Sequence, residues 1–75
     1  MEDNKNIDYL SLHRTLSELL DNKKFLEGIA TFTKEEERFK DSEIYWTDLG
    51  CLYDHLGTAE GDEKALDCYS KALSI

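Results

Sequence analysis

The sequence predicts an all-α fold of four antiparallel helices. Its 75 residues contain no proline and only four glycines, which is too few for a sheet with many turns. Apolar residues recur at spacings of three, four and seven in four successive stretches, the period of an amphipathic helix. Helices joined by short connections pack as antiparallel neighbours, and a chain of this length forms one domain at most.

The first two helices are predicted from their apolar stripes. The first stripe consists of Leu12, Leu16, Leu19 and Leu20, extended towards the N-terminus by Ile7 and Leu10. The polar segment DNKK (residues 21–24) ends it. The second stripe consists of Phe25, Ile29, Phe32 and Phe39, and the segment KDSE (residues 40–43) ends that helix.

The last two helices have recognisable end signals. Asp41 or Ser42 can cap the start of the third helix, and Gly57 is placed to end it in a left-handed conformation. Its stripe consists of Trp46, Leu49, Tyr53 and Leu56. We expect GTAEGD (residues 57–62) to be a loop, with Asp62 capping the fourth helix. That helix carries Ala65, Leu66, Cys68, Tyr69, Ala72 and Leu73.

Gly50 interrupts the third stripe. Glycine inside a helix costs about 1 kcal/mol relative to alanine, so its presence indicates a neighbouring helix too close for a side chain. We expect Gly50 to face Ala65 on the fourth helix, with Trp46, Tyr53 and Tyr69 filling the space on either side.

The helices also repeat. A shift of 34 residues places the third stripe over the first. A shift of 37 places the fourth over the second, with Leu66 over Ile29 and Tyr69 over Phe32. The three additional residues fall in the predicted loop, near 58–61. A helix pair that repeats every 34 residues is typical of an α-solenoid.

Two motifs of the second helix pair match a known repeat. WTDLGCLY (residues 46–53) fits the pattern W-x-x-L-G-x-x-Y, and KALDCYSKAL (residues 64–73) fits the spacing A-x-x-x-[FY]-x-x-A. Residues 43–75 therefore resemble a tetratricopeptide repeat. Residues 9–42 are a divergent match, because Thr15 and Leu16 replace its leucine–glycine pair and Glu35 replaces a small residue. KALDCYSKA is also similar to the Sel-one-like repeat, a close cousin with a longer loop, although Trp46 belongs to the tetratricopeptide pattern.

This resemblance implies a single tetratricopeptide-like domain over residues 1–75, in which two helix-turn-helix repeats stack as a fragment of an α-solenoid. It also implies a non-catalytic interaction module or scaffold that holds a peptide or helix in a concave groove. The groove would be formed by the first helix of each repeat. Its expected lining is Leu10, His13, Ser17, Ile44, Thr47, Cys51, Asp54 and His55, with Asp48 on the same side of the third helix. Such a mildly acidic surface suits a peptide with apolar anchors and one or two basic groups.

The charge distribution argues against several classes of partner. The net charge is −8, and residues 41–75 contain two Lys/Arg against eight Asp/Glu. Nucleic acids and anionic membrane surfaces both require clustered cations, so neither is an expected partner. No apolar run approaches the roughly 20 residues that span a bilayer. The polar N-terminus MEDNKNIDY does not resemble a secretory signal. With two cysteines and no disulfide framework, we expect a cytoplasmic protein.

Cys51 and His55 are the candidates for chemistry, since a spacing of four places them on one helix face. A zinc site needs at least three protein ligands. No C-x-x-C or H-x-x-x-H pattern supplies the rest, so Cys68 or His13 would have to converge on this pair through the fold. The sequence also lacks a glycine-rich phosphate loop. We therefore predict no metal, no cofactor and no enzymatic activity.

The alternative to a peptide-binding module is a self-associating structural repeat. The last helix of a solenoid exposes an apolar flank unless it is capped, and Leu66, Leu73 and Ile75 would form that flank. They would then support a homodimer or stacking on further repeats.

Overall fold

The computed structural model describes the backbone of residues 4–75 and the side chains from Tyr9 onward. This part of the chain forms five helices and contains no strand, so the all-α prediction is confirmed. The helices are α1 (Asn4–Asp21), α2 (Phe25–Lys34), α3 (Glu36–Phe39), α4 (Glu43–His55) and α5 (Ala59–Ser74).

The prediction of four helices is wrong at Glu35, where the second helix divides into α2 and α3. In a continuous helix the Phe32 carbonyl would accept a hydrogen bond from the amide four residues later. Here it accepts from the Tyr45 hydroxyl at 2.6 Å and from the Glu35 amide at 3.0 Å.

The connections confirm two predicted end signals and correct a third. Ser42 caps α4 by accepting the Tyr45 amide at 3.3 Å, and Gly57 has a φ of 71°. The expected loop at 57–62 is shorter, however, because α5 begins at Ala59. Thr58 caps it, with its hydroxyl accepting the Gly61 amide at 2.9 Å. Asp62 instead lies within the first turn, where a carboxylate is favourable to the helix dipole.

Helix α4 is the centre of the fold, since it packs against α1, α2 and α5. Tyr45 and Leu52 of α4 are fully buried, as is Phe32 of α2. The ring of Tyr45 lies 6.0 Å from Phe32 and 5.0 Å from Trp46 between centroids. The remaining core comes mainly from α1 and α5, including Tyr9, Leu12, Leu16, Leu19, Ala65, Cys68 and Ala72.

The close approach expected at Gly50 is present, and the ring of Tyr69 makes it. A Cβ atom at Gly50 would lie 2.7 Å from the ring of Tyr69. The aromatic ring therefore occupies the space that the glycine leaves. Gly61 makes a second close approach, where a Cβ atom would lie 2.7 Å from the backbone carbonyl oxygen of Tyr53.

Candidate functional site

A groove of about 490 Å³ lies where α1 meets the connection between α3 and α4. Tyr9 and Phe39 are buried beneath it, with their rings 5.1 Å apart in an edge-to-face arrangement. Leu10 and Ile44 line the groove with 58% and 56% of their surfaces exposed. Its polar lining consists of Arg38, Asp41 and Ser42.

A buried carboxylate fixes α1 against α4 beside this groove. Asp48 is 7% exposed, and its Oδ2 atom accepts a hydrogen bond from the Tyr9 hydroxyl and lies 2.6 Å from Nδ1 of His13. The Tyr9 hydroxyl is also 3.2 Å from the Ile44 carbonyl oxygen. Burial raises the pKa of Tyr9, and the hydrogen bond to Asp48 raises it further. The phenol therefore stays protonated as a donor.

The position of Asp48 corrects one expectation. Helical periodicity puts Asp48 on the side of α4 opposite the stripe that packs on α5, and that side is expected to be open. The first helix covers that side, with Tyr9 and His13 directly over the carboxylate. Asp48 therefore joins two helices and does not line an open surface.

The structure brings together only part of the predicted groove lining. Leu10 and Ile44 line the groove, and the exposed ring of His13 lies one turn along α1. Thr47 is exposed and donates its hydroxyl to the Glu43 carbonyl of its own helix at 3.0 Å. Neither His13 nor Thr47 lines this groove, and the four remaining predicted residues do not line it either. They are Ser17, Asp54 and His55, which are exposed, and Cys51, which is half-buried.

The sequence prediction missed the floor of the groove. The sequence places Phe39 in the core stripe of the second predicted helix and gives no sign that it also faces α1. The burial of Tyr9, in contrast, was predictable from the sequence, because residues 9, 12, 16 and 19 continue one helical stripe. That stripe passes through Tyr9 and leaves Leu10 exposed.

The Cys51–His55 pair does not form an activated thiol. The Cys51 sulfur lies 3.6 Å from Nδ1 of His55, and the same nitrogen lies 2.8 Å from the Cys51 carbonyl oxygen. A carbonyl oxygen can only accept, so Nδ1 carries the proton and cannot also take one from the thiol. Burial raises the pKa of Cys51, and Asp48 and Asp54 add to the effect. The thiol is therefore held in its less reactive form.

The part of the chain described by the structure contains no cluster of three His, Cys, Asp or Glu side chains that could hold a metal ion. None of its helices is both long enough and apolar enough to cross a bilayer.

Comparisons with models of protein families, with curated proteins and with solved structures find no match to this chain.

Proposed function

We propose that this chain is a non-catalytic protein-interaction module of the tetratricopeptide type, which binds a peptide or helix of a partner in the groove beside α1 and α4. In this proposal α1 with α2–α3 forms one helix-turn-helix repeat, and α4 with α5 forms the next.

The relation between α1 and α4 supports the repeat. Tyr9 contacts Ile44, 35 residues later, and His13 contacts Asp48 at the same separation. Further along, a Cβ atom at Gly28 would approach both Leu19 and Leu52. The two helices therefore run side by side in the same direction. The separation between their paired residues is close to the 34-residue repeat of the sequence.

The observation that carries the binding proposal is the apolar lining of the groove. Leu10 and Ile44 are more than half exposed on either side of a floor made by Tyr9 and Phe39. Burying a leucine or isoleucine side chain contributes about 1.5–3 kcal/mol. A volume of about 490 Å³ is within the range of ligand pockets and accommodates one or two apolar side chains of a peptide.

The charges of the lining favour a basic group beside those anchors. Arg38 pairs with Glu35 at 3.0 Å and also lies over the Phe39 ring. Asp41, by contrast, presents an exposed carboxylate to the groove. A lysine or arginine next to the apolar anchors of the peptide would meet Asp41.

The proposal is tested by selecting peptides from a displayed random library on the wild-type chain. The affinity of the selected peptides is then compared between the wild-type chain and the double variant Leu10→Gln/Ile44→Gln. We expect affinity to fall at least tenfold while the circular dichroism spectrum and melting temperature stay unchanged, because both side chains are exposed. Leu26→Gln is the matched control, since Leu26 is 73% exposed elsewhere on the surface.

Two further variants locate the binding along the helices. Cys51→Arg and Asp54→Lys alter the far end of the predicted lining and should leave affinity unchanged. If they weaken binding while Leu10→Gln/Ile44→Gln does not, the groove beside Tyr9 is not the binding site.

A further inference from the structure

Helix α5 presents a second apolar surface, away from the groove. Leu66, Tyr69 and Leu73 follow at spacings of three and four and share one face of the helix. Leu66 is 68% exposed and Leu73 is 87% exposed, whereas Tyr69 is half-buried with its ring over Gly50. We call these three residues the α5 stripe.

The charges beside the α5 stripe have one sign. Asp62, Glu63 and Asp67 are exposed on the same side of the helix, with Asp67 at the edge, 3.6 Å from Lys71. The lysines of α5 lie towards α4. Lys71 sits over the Trp46 ring at 4.5 Å, and Lys64 lies 6.0 Å from the centre of the Tyr53 ring. The stripe is therefore flanked by carboxylates, while the nearby cations are engaged with aromatic rings.

The chain itself shows what kind of element covers such a stripe. A shift of 37 residues places Leu66 and Tyr69 over Ile29 and Phe32 of α2. Those two residues pack into the core, and Phe32 is fully buried with its ring 6.0 Å from Tyr45 of α4. The part of α2 that corresponds to Leu66 and Tyr69 is therefore covered by α4, whereas the position that corresponds to Leu73 is Glu36 of α3.

We propose that the α5 stripe docks an amphipathic helix of a partner protein, whose apolar side meets Leu66 and Leu73 and whose flanking lysines or arginines meet Asp62 and Glu63. A second copy of this chain fits the surface less well. A face-to-face pair of α5 helices would bring two sets of carboxylates together, and like charges across an interface are unfavourable. The proposal concerns a different surface from the groove and stands independently of it.

The test uses a synthetic helical peptide of about 14 leucine and lysine residues, on the order of 20 Å long, with leucines along one face. Binding to the whole chain is followed by fluorescence anisotropy at low salt and at about 0.15 M salt. We expect saturable binding that weakens at least tenfold in Leu66→Gln/Leu73→Gln. The charge-removing variant Asp62→Asn/Glu63→Gln should weaken binding and reduce its salt dependence.

Glu18→Gln/Asp21→Asn is the matched control, because it removes the same charge from exposed positions on α1. If it weakens binding as much as Asp62→Asn/Glu63→Gln does, only the net charge attracts the peptide and the proposal is overturned. Equal binding of a leucine–glutamate peptide, or no binding of the leucine–lysine peptide, would also overturn it. So would loss of binding in Leu10→Gln/Ile44→Gln, which would place the peptide in the groove. Sedimentation that shows a dimer abolished by Leu66→Gln/Leu73→Gln would assign the stripe to a second copy instead.

Discussion

The phenol of Tyr9 on α1 donates a hydrogen bond to the buried carboxylate of Asp48 on α4. Tyr9 also forms part of the groove lining, and its hydroxyl lies close to the backbone carbonyl of Ile44 on the opposite side. This contact therefore joins the two helices and sets the distance between the two sides of the groove. A buried charge is tolerated only when it is paired or hydrogen-bonded, so Asp48 favours the one packing of α1 that supplies Tyr9 and His13.

Tyr9→Phe is expected to lower the free energy of unfolding by about 1–3 kcal/mol, because it removes a hydrogen-bond donor from a buried carboxylate. Urea unfolding followed by circular dichroism measures the change. A double-mutant cycle that combines Tyr9→Phe with Asp48→Asn should give a coupling free energy of about 0.5–3 kcal/mol. Asp54→Asn, exposed on the same helix, is the control and should change stability by less than about 0.5 kcal/mol. If Tyr9→Phe leaves the free energy of unfolding unchanged, the hydrogen bond does not hold α1 in place.

Gly50→Leu is expected to destabilise the fold by roughly 1–3 kcal/mol, the usual cost of overpacking. Its Cβ atom alone would lie 2.7 Å from the Tyr69 ring. Because the obstacle is a half-buried side chain, removing it should relieve the strain. The loss caused by Gly50→Leu should therefore be smaller in a Tyr69→Ala background. Thermal melting of the wild type, the two single variants and the double variant tests this. An equal loss of stability in both backgrounds would show that Tyr69 is not the obstacle.

Gly61→Ala is expected to destabilise the chain although alanine favours a helix by about 1 kcal/mol over glycine. The added methyl group would lie 2.7 Å from the Tyr53 carbonyl oxygen, which belongs to the backbone of α4. No rotation of a side chain can relieve that contact, so the connection between α4 and α5 must shift. Ser70→Ala, at an exposed site on α5, is the comparison. A melting temperature for Gly61→Ala at or above that of the wild type would disprove the close contact.

The buried thiol of Cys68 should make the fold sensitive to alkaline pH. Burial raises the pKa of Cys68 from 9.0 to about 11. The folded state thus binds this proton more tightly than the unfolded state does. Its contribution to stability is complete below pH 9 and is lost as the pH rises towards 11. We expect the melting temperature under reducing conditions to fall over this range, and to fall less in Cys68→Ala. Parallel pH profiles for the two proteins would contradict the assignment.

Local signals in the sequence predicted much of the helical arrangement. The apolar spacing located the buried faces, and Ser42 and Gly57 marked the two ends of α4, because capping and left-handed geometry depend on adjacent residues. The break at Glu35 was not predictable in this way. At that point the Phe32 carbonyl accepts a hydrogen bond from the hydroxyl of Tyr45, which lies 13 residues later in the sequence.

The candidate site was predicted less completely than the helices. Leu10 and Ile44 both line the groove beside Tyr9, but helical periodicity gives only the side of one helix on which a residue lies. It does not say which neighbour covers that side. The burial of Asp48 and the position of Phe39 under the groove both follow from the packing of α1, which no local pattern specifies.

The central proposal, that the groove beside α1 and α4 binds a partner peptide, is tested most directly by nuclear magnetic resonance. A peptide selected on the chain is titrated into ¹⁵N-labelled protein, and the amide shifts that change are mapped. The largest changes should occur at Leu10, Ile44 and the residues around Arg38 and Asp41, and they should disappear in Leu10→Gln/Ile44→Gln. Changes confined to α2 or α5, with the amides of the groove unaffected, would contradict the proposed function.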